Sequence, residues 1–195
     1  MTAARDSTGP PPRRGEGGPD PAPKAPSGRP KLAVAWEIDP ACIDVAKKRM
    51  PWLLQRGDLL ADGVEKVLRL VTQADPEEQA TVLWTAAPPC QDFRRVRSPG
   101  PGHDGERGSL FLMTVQFQQD LFAQPGARRT GYLYENVAMT KANADVISQA
   151  LGTEPVFVCA GDFGWITRPR LWWTSVNWTQ ITKDIVDGRR LHCTT

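Results

Sequence analysis

After residue 31 the sequence alternates between short apolar runs and stretches of helical periodicity, and this alternation limits the fold more than any other feature. The apolar runs have the length of strands, whereas Leu110, Met113, Phe117 and Leu121 recur at helical spacing. Strands that alternate with helices predict an α/β domain, in which a doubly wound, mostly parallel sheet carries helices on both faces. The predicted strands are 32–36, 52–55, 80–87, 131–134, 155–159 and 171–176, and the predicted helices are 41–49, 64–71, 109–122 and 142–151.

The first thirty residues differ from the rest in composition. They contain eight Pro and five Gly residues and almost nothing apolar. Such a segment cannot bury enough surface to offset the entropy of ordering the chain. We therefore expect a disordered arm over residues 1–30, in part polyproline II, followed by one folded domain over residues 31–195.

Charge, apolar content and cysteine spacing exclude several classes of protein. Of the 195 residues 40% are hydrophobic, enough for the core of one domain, and the net charge of +2 gives no global basic field. No apolar stretch approaches the roughly 20 residues of a membrane span, and the N-terminus lacks the apolar region of a signal peptide. We therefore expect an intracellular protein, nuclear if its source is eukaryotic, with no membrane partner. The four cysteines form no C-x-x-C pair, which argues against a zinc site and a disulfide framework.

Four polar side chains follow four different predicted strands. Glu37, Asp58, Cys90 and Glu135 each come just past the end of a strand. Because ligands bind at the carboxyl ends of parallel strands, we expect a ligand site at that edge of the sheet. Taken singly, each residue also fits an ordinary role: Cys90 as a packed thiol beside the Pro-Pro turn, and Glu135 as an exposed strand-end carboxylate.

The segment 91–108 is rich in arginine and glycine. Its arginines include Arg94, Arg95 and Arg97, and its composition predicts a mobile basic loop beside Cys90. Guanidinium groups near a thiol favour the thiolate, which is the nucleophilic form of cysteine. The alternative interpretation of this segment is a solvated, charged connection.

Three stretches of the chain, in this order, resemble the DNA (cytosine-5) methyltransferases. They are "PPCQDFRRVRSPGPGHDGERGSLF", "YLYENVAMTKANADVISQAL" and "PVFVCAGDFGWITRPRLWW", within residues 32–173. ENVAM followed by DVISQAL is most similar to the animal de novo branch, whereas PPCQ is closer to the general and bacterial pattern. The resemblance implies transfer of a methyl group from S-adenosylmethionine to C5 of cytosine in DNA, through a covalent cysteine adduct on a base taken out of the duplex stack.

Matched position by position, the resemblance implies a catalytic role for each motif residue. Cys90 corresponds to the nucleophile that adds to C6 of cytosine, and Glu135 to the carboxyl group that hydrogen-bonds the base. Asn136 corresponds to the residue that orders the nearby loop. Arg168 and Arg170 correspond to the paired arginines of the catalytic centre, although strand-edge charges that discourage aggregation would look the same.

The resemblance also implies a cofactor site. Glu37 corresponds to the acidic residue that binds the ribose hydroxyls of S-adenosylmethionine, Asp58 to the carboxylate that accepts from the adenine amino group, and Pro88 to a further cofactor contact. Ile38 stands where many members have an aromatic residue that stacks on adenine. The family's F-x-G-x-G turn has no counterpart in the chain, and we expect no room for the target recognition domain. The fold implied is an incomplete, Rossmann-like S-adenosylmethionine-dependent methyltransferase domain.

Three functions are compatible with the sequence. In a DNA methyltransferase, Arg94, Arg95, Arg97 and Asn136 would contact DNA. A catalytically inactive remnant would act as a binding or regulatory module. A tRNA cytosine-5 methyltransferase would share the same motifs, because the choice between DNA and RNA resides largely in the recognition domain.

Overall fold

The computed structural model describes residues 29–93, 100–124, 128–162 and 165–176. The described residues from Lys31 onward belong to one compact unit, which contains all the described helices and strands. The predicted arm lies outside the described residues except for its last two positions. Arg94, Arg95 and Arg97 lie outside them as well, so their predicted contact with DNA stays a prediction.

Strands and helices alternate along the described chain as the sequence predicts, with ends that differ by a few residues. Helix α3 begins and ends at its predicted residues. The elements are β1 (Val34–Ala35), α1 (Pro40–Arg49), β2 (Leu54–Gln55), α2 (Val64–Ala74), β3 (Val82–Ala86), α3 (Ser109–Phe122), β4 (Thr130–Val137), α4 (Lys141–Leu151), β5 (Val156–Cys159) and β6 (Pro169–Thr174), with 3₁₀ turns at Gln91–Phe93, Gly102–Asp104 and Ala160–Asp162.

The strands form two sheets. β1 and β2 pair in parallel as a two-stranded sheet, and the other four strands form a sheet of order β3-β4-β6-β5. β3 is parallel to β4, whereas β6 is antiparallel to both β4 and β5, so three of the four strands run in the same direction. The predicted α/β class with a mostly parallel sheet is confirmed, and the reversed strand β6 is the exception.

Strand β4 is longer than predicted, which changes the position of Glu135. The prediction that Glu135 lies past the end of its strand is wrong, because β4 continues to Val137. Its last residues pair with the start of β6, with Glu135 opposite Trp172 and Val137 opposite Arg170. The partner that extends β4 is distant in sequence, so a local pattern of polar residues resembled a strand end.

The core of the four-stranded sheet lies against α3. Phe111 of α3, Tyr134 of β4 and Trp173 of β6 are completely buried. The ring centroid of Phe111 lies 5.4 Å from that of Tyr134 and 5.7 Å from that of Trp173. Burial of each such ring stabilises the fold by about 2–3 kcal/mol. The segment that carries Cys90 therefore begins and ends on packed elements, β3 and α3.

The two-stranded sheet is held by fewer buried groups. Helix α1 has no buried residue, and the ring of Trp36, directly after β1, packs on Trp84 of β3 at 5.6 Å. Trp36 also donates from Nε1 to Asp62 Oδ2 at 3.0 Å, and Arg56 donates to the same carboxylate from Nε at 2.9 Å and from Nη2 at 2.7 Å. The hydrogen bonds from Arg56, assisted by that from Trp36, lower the pKa of Asp62 to about 2.

No helix within the described ranges is long and apolar enough to cross a membrane.

Candidate active site

The carboxyl ends of β1, β2 and β3 open into a common cavity of about 520 Å³. Glu37, Asp58 and Pro88, each from the end of a different strand, all line it. The strand-end pattern predicts this position for Glu37 and Asp58, whereas Cys90 and Glu135, for which it predicts the same edge, are not among the residues that line the cavity. A volume in this range is typical of a site for a small molecule or cofactor.

The two carboxylates at the cavity are oriented by their own backbone. Glu37 Oε1 accepts hydrogen bonds from the amides of Ile38 and Asp39, both at 2.8 Å. Asp58 Oδ1 accepts from the amide of Leu60 at 2.9 Å. Among the described residues, no donor reaches the second oxygen of either carboxylate. Each side chain therefore has a fixed direction and one oxygen left to accept from a ligand.

Ile38 gives the cavity an apolar wall between these acceptors. It lines the cavity and is 75% exposed. An exposed apolar side chain beside carboxylate acceptors suits a ligand with a flat apolar ring and hydroxyl or amino groups at its edge. A nucleoside has this chemistry.

Asn136 joins strand β4 to the turn before Cys90. Its side-chain Nδ2 donates to the carbonyl oxygen of Pro88 at 3.1 Å, and its Oδ1 accepts from the amide of Val137 at 2.8 Å. The residue is 1% exposed. Both ends of the amide are therefore used within the protein, and the predicted contact of Asn136 with DNA is not compatible with this burial. Its implied role in ordering the nearby loop agrees with the geometry.

Glu135 and Arg170 form an ion pair next to that connection. Arg170 Nε lies 2.5 Å from Glu135 Oε1, and the two side chains are only 16% and 20% exposed. Arg170 Nη1 also donates to the carbonyl oxygen of Pro169 at 2.8 Å. The pair fixes the carboxylate on the strand that Asn136 connects to the Pro-Pro turn. Arg168 is exposed, and the structure does not bring its side chain into this pair.

Cys90 follows the Pro-Pro turn, and its side chain is half-buried. Its carbonyl oxygen accepts from the amide of Phe93 at 3.1 Å, which begins the 3₁₀ turn after the cysteine. Pro88 lines the cavity and also accepts the hydrogen bond of Asn136. Pro88, Pro89 and Gln91 line the cavity on either side of Cys90, and Pro88 also connects this turn to the strand that carries Glu135.

Asp92 is a structural centre of the site that the sequence analysis missed. Its Oδ2 accepts from the amides of Arg107 and Gly108, at 2.9 and 2.8 Å, where helix α3 begins. Gly100 packs against the Asp92 carbonyl and Gly105 against its carboxylate, so closely that a Cβ at either position would collide. The described parts of the predicted mobile loop are therefore fastened, because its glycines serve close packing and not mobility.

A second contact ties the same loop to α4. His103 Nε2 is 2.9 Å from the carbonyl oxygen of Asn143, and its ring lies 4.9 Å from that of Phe93. Gly102, with a φ of 61°, packs on the Asn143 side chain in a conformation that favours glycine. The loop after Cys90 thus rests on both α3 and α4.

Comparison with known proteins finds similar chains among solved structures. No protein-family model matches the chain, and no curated protein matches it. Among solved structures, the crystal structure of the S. pombe Dnmt2 methyltransferase is similar at 17% sequence identity, with a TM-score of 0.48. The similarity covers 75% of this chain and 41% of that one, so the chain spans less than half of the neighbour's length.

Proposed function

We propose that this chain is a cytosine-5 methyltransferase domain, which transfers a methyl group from S-adenosylmethionine to C5 of cytosine in DNA. The observation that carries the proposal is the hydrogen bond from Asn136 to Pro88. It joins the thiol turn at the cavity to the strand that holds the Glu135–Arg170 pair. A nucleophile, a carboxylate for the base and a nucleoside-sized cavity are thereby held in one arrangement.

The residues of the cavity fit the adenosine half of the cofactor. Glu37 has an oxygen available for the ribose hydroxyls, and Asp58 has one available for the adenine amino group. Ile38 offers an apolar surface to the ring. When bound, S-adenosylmethionine supplies an electrophilic methyl group and leaves as S-adenosylhomocysteine.

The described side chains suffice for activation of the base. The Cys90 thiolate forms a bond to C6 of cytosine, and the electron pair of the C5–C6 double bond moves to C5, which becomes nucleophilic. Glu135 holds the base at its Watson–Crick edge, and Arg170 keeps that carboxylate in place. C5 then bonds to the methyl carbon as the methyl–sulfonium bond of the cofactor breaks. The C5 proton passes to solvent water, its electron pair restores the C5–C6 double bond, and the C6–S bond breaks to release the Cys90 thiolate. The cytosine must leave the duplex stack for this chemistry.

Covalent trapping tests this function. DNA that contains 5-fluorocytosine should form a stable adduct with the protein in the presence of cofactor, because fluorine at C5 blocks the final proton loss. Cys90→Ser should abolish the adduct, whereas Cys42→Ser and Cys159→Ser, the controls for the other described cysteines, should retain it. An adduct that persists in Cys90→Ser and disappears in Cys159→Ser would refute the assignment.

The same assay separates DNA from tRNA as substrate. The ENVAM run supports the finer proposal of a DNA methyltransferase nearest to the animal de novo branch. A 5-fluorocytosine tRNA offered beside the duplex should then give no adduct. Trapping of the tRNA alone would instead assign the tRNA cytosine-5 methyltransferase function.

A catalytically inactive binding module is the second candidate. Gly57 is the one glycine among the described residues of the cavity wall, so close backbone donors for the methionine half of the cofactor are scarce there. We expect S-adenosylmethionine to bind weakly, with a Kd above about 1 μM, by calorimetry. Measurable binding that Glu37→Gln and Asp58→Asn weaken, without any adduct, would favour the inactive module.

A further inference from the structure

The hairpin between β5 and β6 carries two adjacent apolar side chains in solvent. Trp165 is 104% exposed and Ile166 is 72% exposed. Tryptophan is highly buried on average, because its ring removes a large apolar surface from water. A completely exposed ring next to a second exposed apolar side chain therefore points to a binding partner.

The base of this hairpin is well defined. The amide of Ala160 donates to the carbonyl oxygen of Arg168 at 3.4 Å, directly beyond the last strand pair, Cys159 with Pro169. On the β5 side, the amide of Cys159 also donates to Asp162 Oδ2 at 3.4 Å. Trp165 therefore lies three residues before the paired base at Arg168, and its exposure does not come from an unpaired strand end.

The hairpin lies at the edge of the sheet that carries the proposed catalytic pair. Trp165 precedes Arg170 by five residues, and Arg170 binds Glu135. Five residues span at most about 17 Å of extended chain. That length corresponds to about five steps of 3.4 Å along one DNA strand. The ring is therefore within reach of nucleotides that flank a base held at Glu135.

We propose that Trp165 stacks on an unpaired nucleobase next to the base held at Glu135, while Arg168 contacts the adjoining phosphate. This inference rests on the proposed function, from which the position of the target base is taken. A nucleic acid fits the patch better than an apolar protein surface does, because Arg168, three residues after Trp165, is an exposed cation on the same segment. An aromatic face for the base and a cation for the backbone are the two elements with which proteins bind single strands.

Equilibrium binding to three oligonucleotides tests the proposal. They are a single strand, a duplex with one mismatched cytosine and a fully paired duplex, each without 5-fluorocytosine. Trp165→Ala should weaken binding to the single strand and the mismatched duplex by about tenfold to a hundredfold. Trp165→Phe, which retains a ring, should restore most of the affinity. If Trp165→Ala loses as much affinity for the paired duplex, the protein itself opens the base stack before Trp165 binds. If its affinity for the paired duplex is unchanged, Trp165 stacks only on a base that is already unpaired.

Salt dependence distinguishes stacking from charge. Trp165→Ala should leave the slope of log affinity against log salt unchanged, whereas Arg168→Gln should reduce it by about 0.7 on a single strand. Trp52→Ala is the matched control, because Trp52 is 38% exposed and precedes β2, away from the carboxyl ends of the strands. It should bind like the wild type.

Two results would overturn the proposal. One is a Trp165→Ala protein that binds the single strand as tightly as the wild type. The other is a wild-type dimer that Trp165→Ala converts to a monomer in sedimentation, which would assign the patch to a second copy of the chain. If the wild type forms no covalent adduct but Trp165→Ala still weakens binding to the single strand, methyl transfer is refuted and stacking is not. If the wild type forms the adduct and Trp165→Ala binds as tightly as the wild type, stacking is refuted and methyl transfer is not.

Discussion

The two sheets contribute different halves of the candidate site, and they differ in how they are packed. The four-stranded sheet carries the turn before Cys90 and the Glu135–Arg170 pair, and it packs through the fully buried Trp173. The two-stranded sheet carries Glu37 and Asp58, on strands of two residues each. The proposed nucleophile and base-binding residues therefore belong to a rigid core, while the proposed adenosine-binding residues belong to a lightly packed part.

Polar contacts, more than burial, hold the lightly packed part in place. β1 and β3 both line the cavity, yet the two strands are not paired with each other. The contacts of this part include the ring of Trp36 on Trp84 and Phe117, the ion pair of Lys31 with Asp75, and the hydrogen bonds of Asp62. Local opening follows the segments with few buried apolar contacts, so the two-stranded sheet should open before the four-stranded one.

Matched isoleucines on two helices give the largest expected contrast. Ile147 of α4 is 0% exposed, whereas Ile43 of α1 is half-buried on a helix with no buried residue. Ile147→Ala should lower the free energy of unfolding by about 2–5 kcal/mol, and Ile43→Ala by about 1 kcal/mol or less. Urea denaturation measures both. Equal losses would show that α1 is packed as tightly as α4.

Low pH should destabilise the two-stranded part, because it protonates Asp62. The folded-state pKa of about 2 lies below the ordinary value of 3.8, so the stabilisation is complete above pH 5 and is lost as the pH falls from about 4 through 2. Asp62→Asn should cost about 1–2 kcal/mol at pH 6, and this difference from the wild type should vanish towards pH 2.

The acid experiment has a control on helix α4, outside the two-stranded part. Asp145 pairs with Lys141 on α4, where the side chains are 41% and 86% exposed. Asp145→Asn should change stability by less than about 0.5 kcal/mol at pH 6, because exposed pairs contribute little. A difference for Asp62→Asn that stays constant between pH 6 and pH 2 would contradict the assigned pKa.

Much of this architecture could be predicted from local patterns. The amphipathic spacing of α3 predicted both its ends, and the strand-end rule predicted that Glu37 and Asp58 share one cavity, although not that Cys90 and Glu135 lie outside its lining. Their role towards a cofactor stays a prediction. The reversed strand β6 could not be predicted, because its pairing with β4 joins segments that are distant in sequence.

The features that sequence analysis missed depend on contacts between distant segments. Asp92 looked like one more charge in a basic loop, but its carboxylate binds amides at the start of α3. Its signal was the recurrence of glycine at 100, 102, 105 and 108, which marks close packing as well as flexibility. For Asn136 the resemblance implied a role in ordering the nearby loop, and only the structure shows its amide bound to Pro88.

Asp92 should be the weak point of the well-packed half. Asp92→Ala removes the acceptor of two backbone amides at the start of α3 and should cost about 1–2 kcal/mol of unfolding free energy. Asp92→Asn retains a carbonyl oxygen and should recover most of that loss. In the same samples, the alkylation rate of Cys90 should change in the alanine variant and that of the exposed Cys42 should not. An asparagine variant as unstable as the alanine variant would show that charge, not the acceptor oxygen, matters.

Substitutions at the helix N-caps should give the smallest losses of stability. For the caps, the loss should be larger on α1 than on α4, whereas for the isoleucines it should be larger on α4. Asp39 Oδ1 accepts from the amide of Ala41 at 2.8 Å at the start of α1, whereas Thr140 Oγ1 is 3.4 Å from the amide of Asn143 at the start of α4. The shorter hydrogen bond, which a carboxylate accepts at a helix N-terminus, should be the stronger of the two. Asp39→Ala should therefore cost about 1 kcal/mol and Thr140→Ala about 0.5 kcal/mol, measured by amide exchange within each helix. A larger cost for Thr140→Ala would mean that the packed sheet strengthens local caps as well as the core. A larger cost for Asp39→Ala, as expected, would mean that α1, which has no buried side chain, relies on its N-cap for stability more than α4 does.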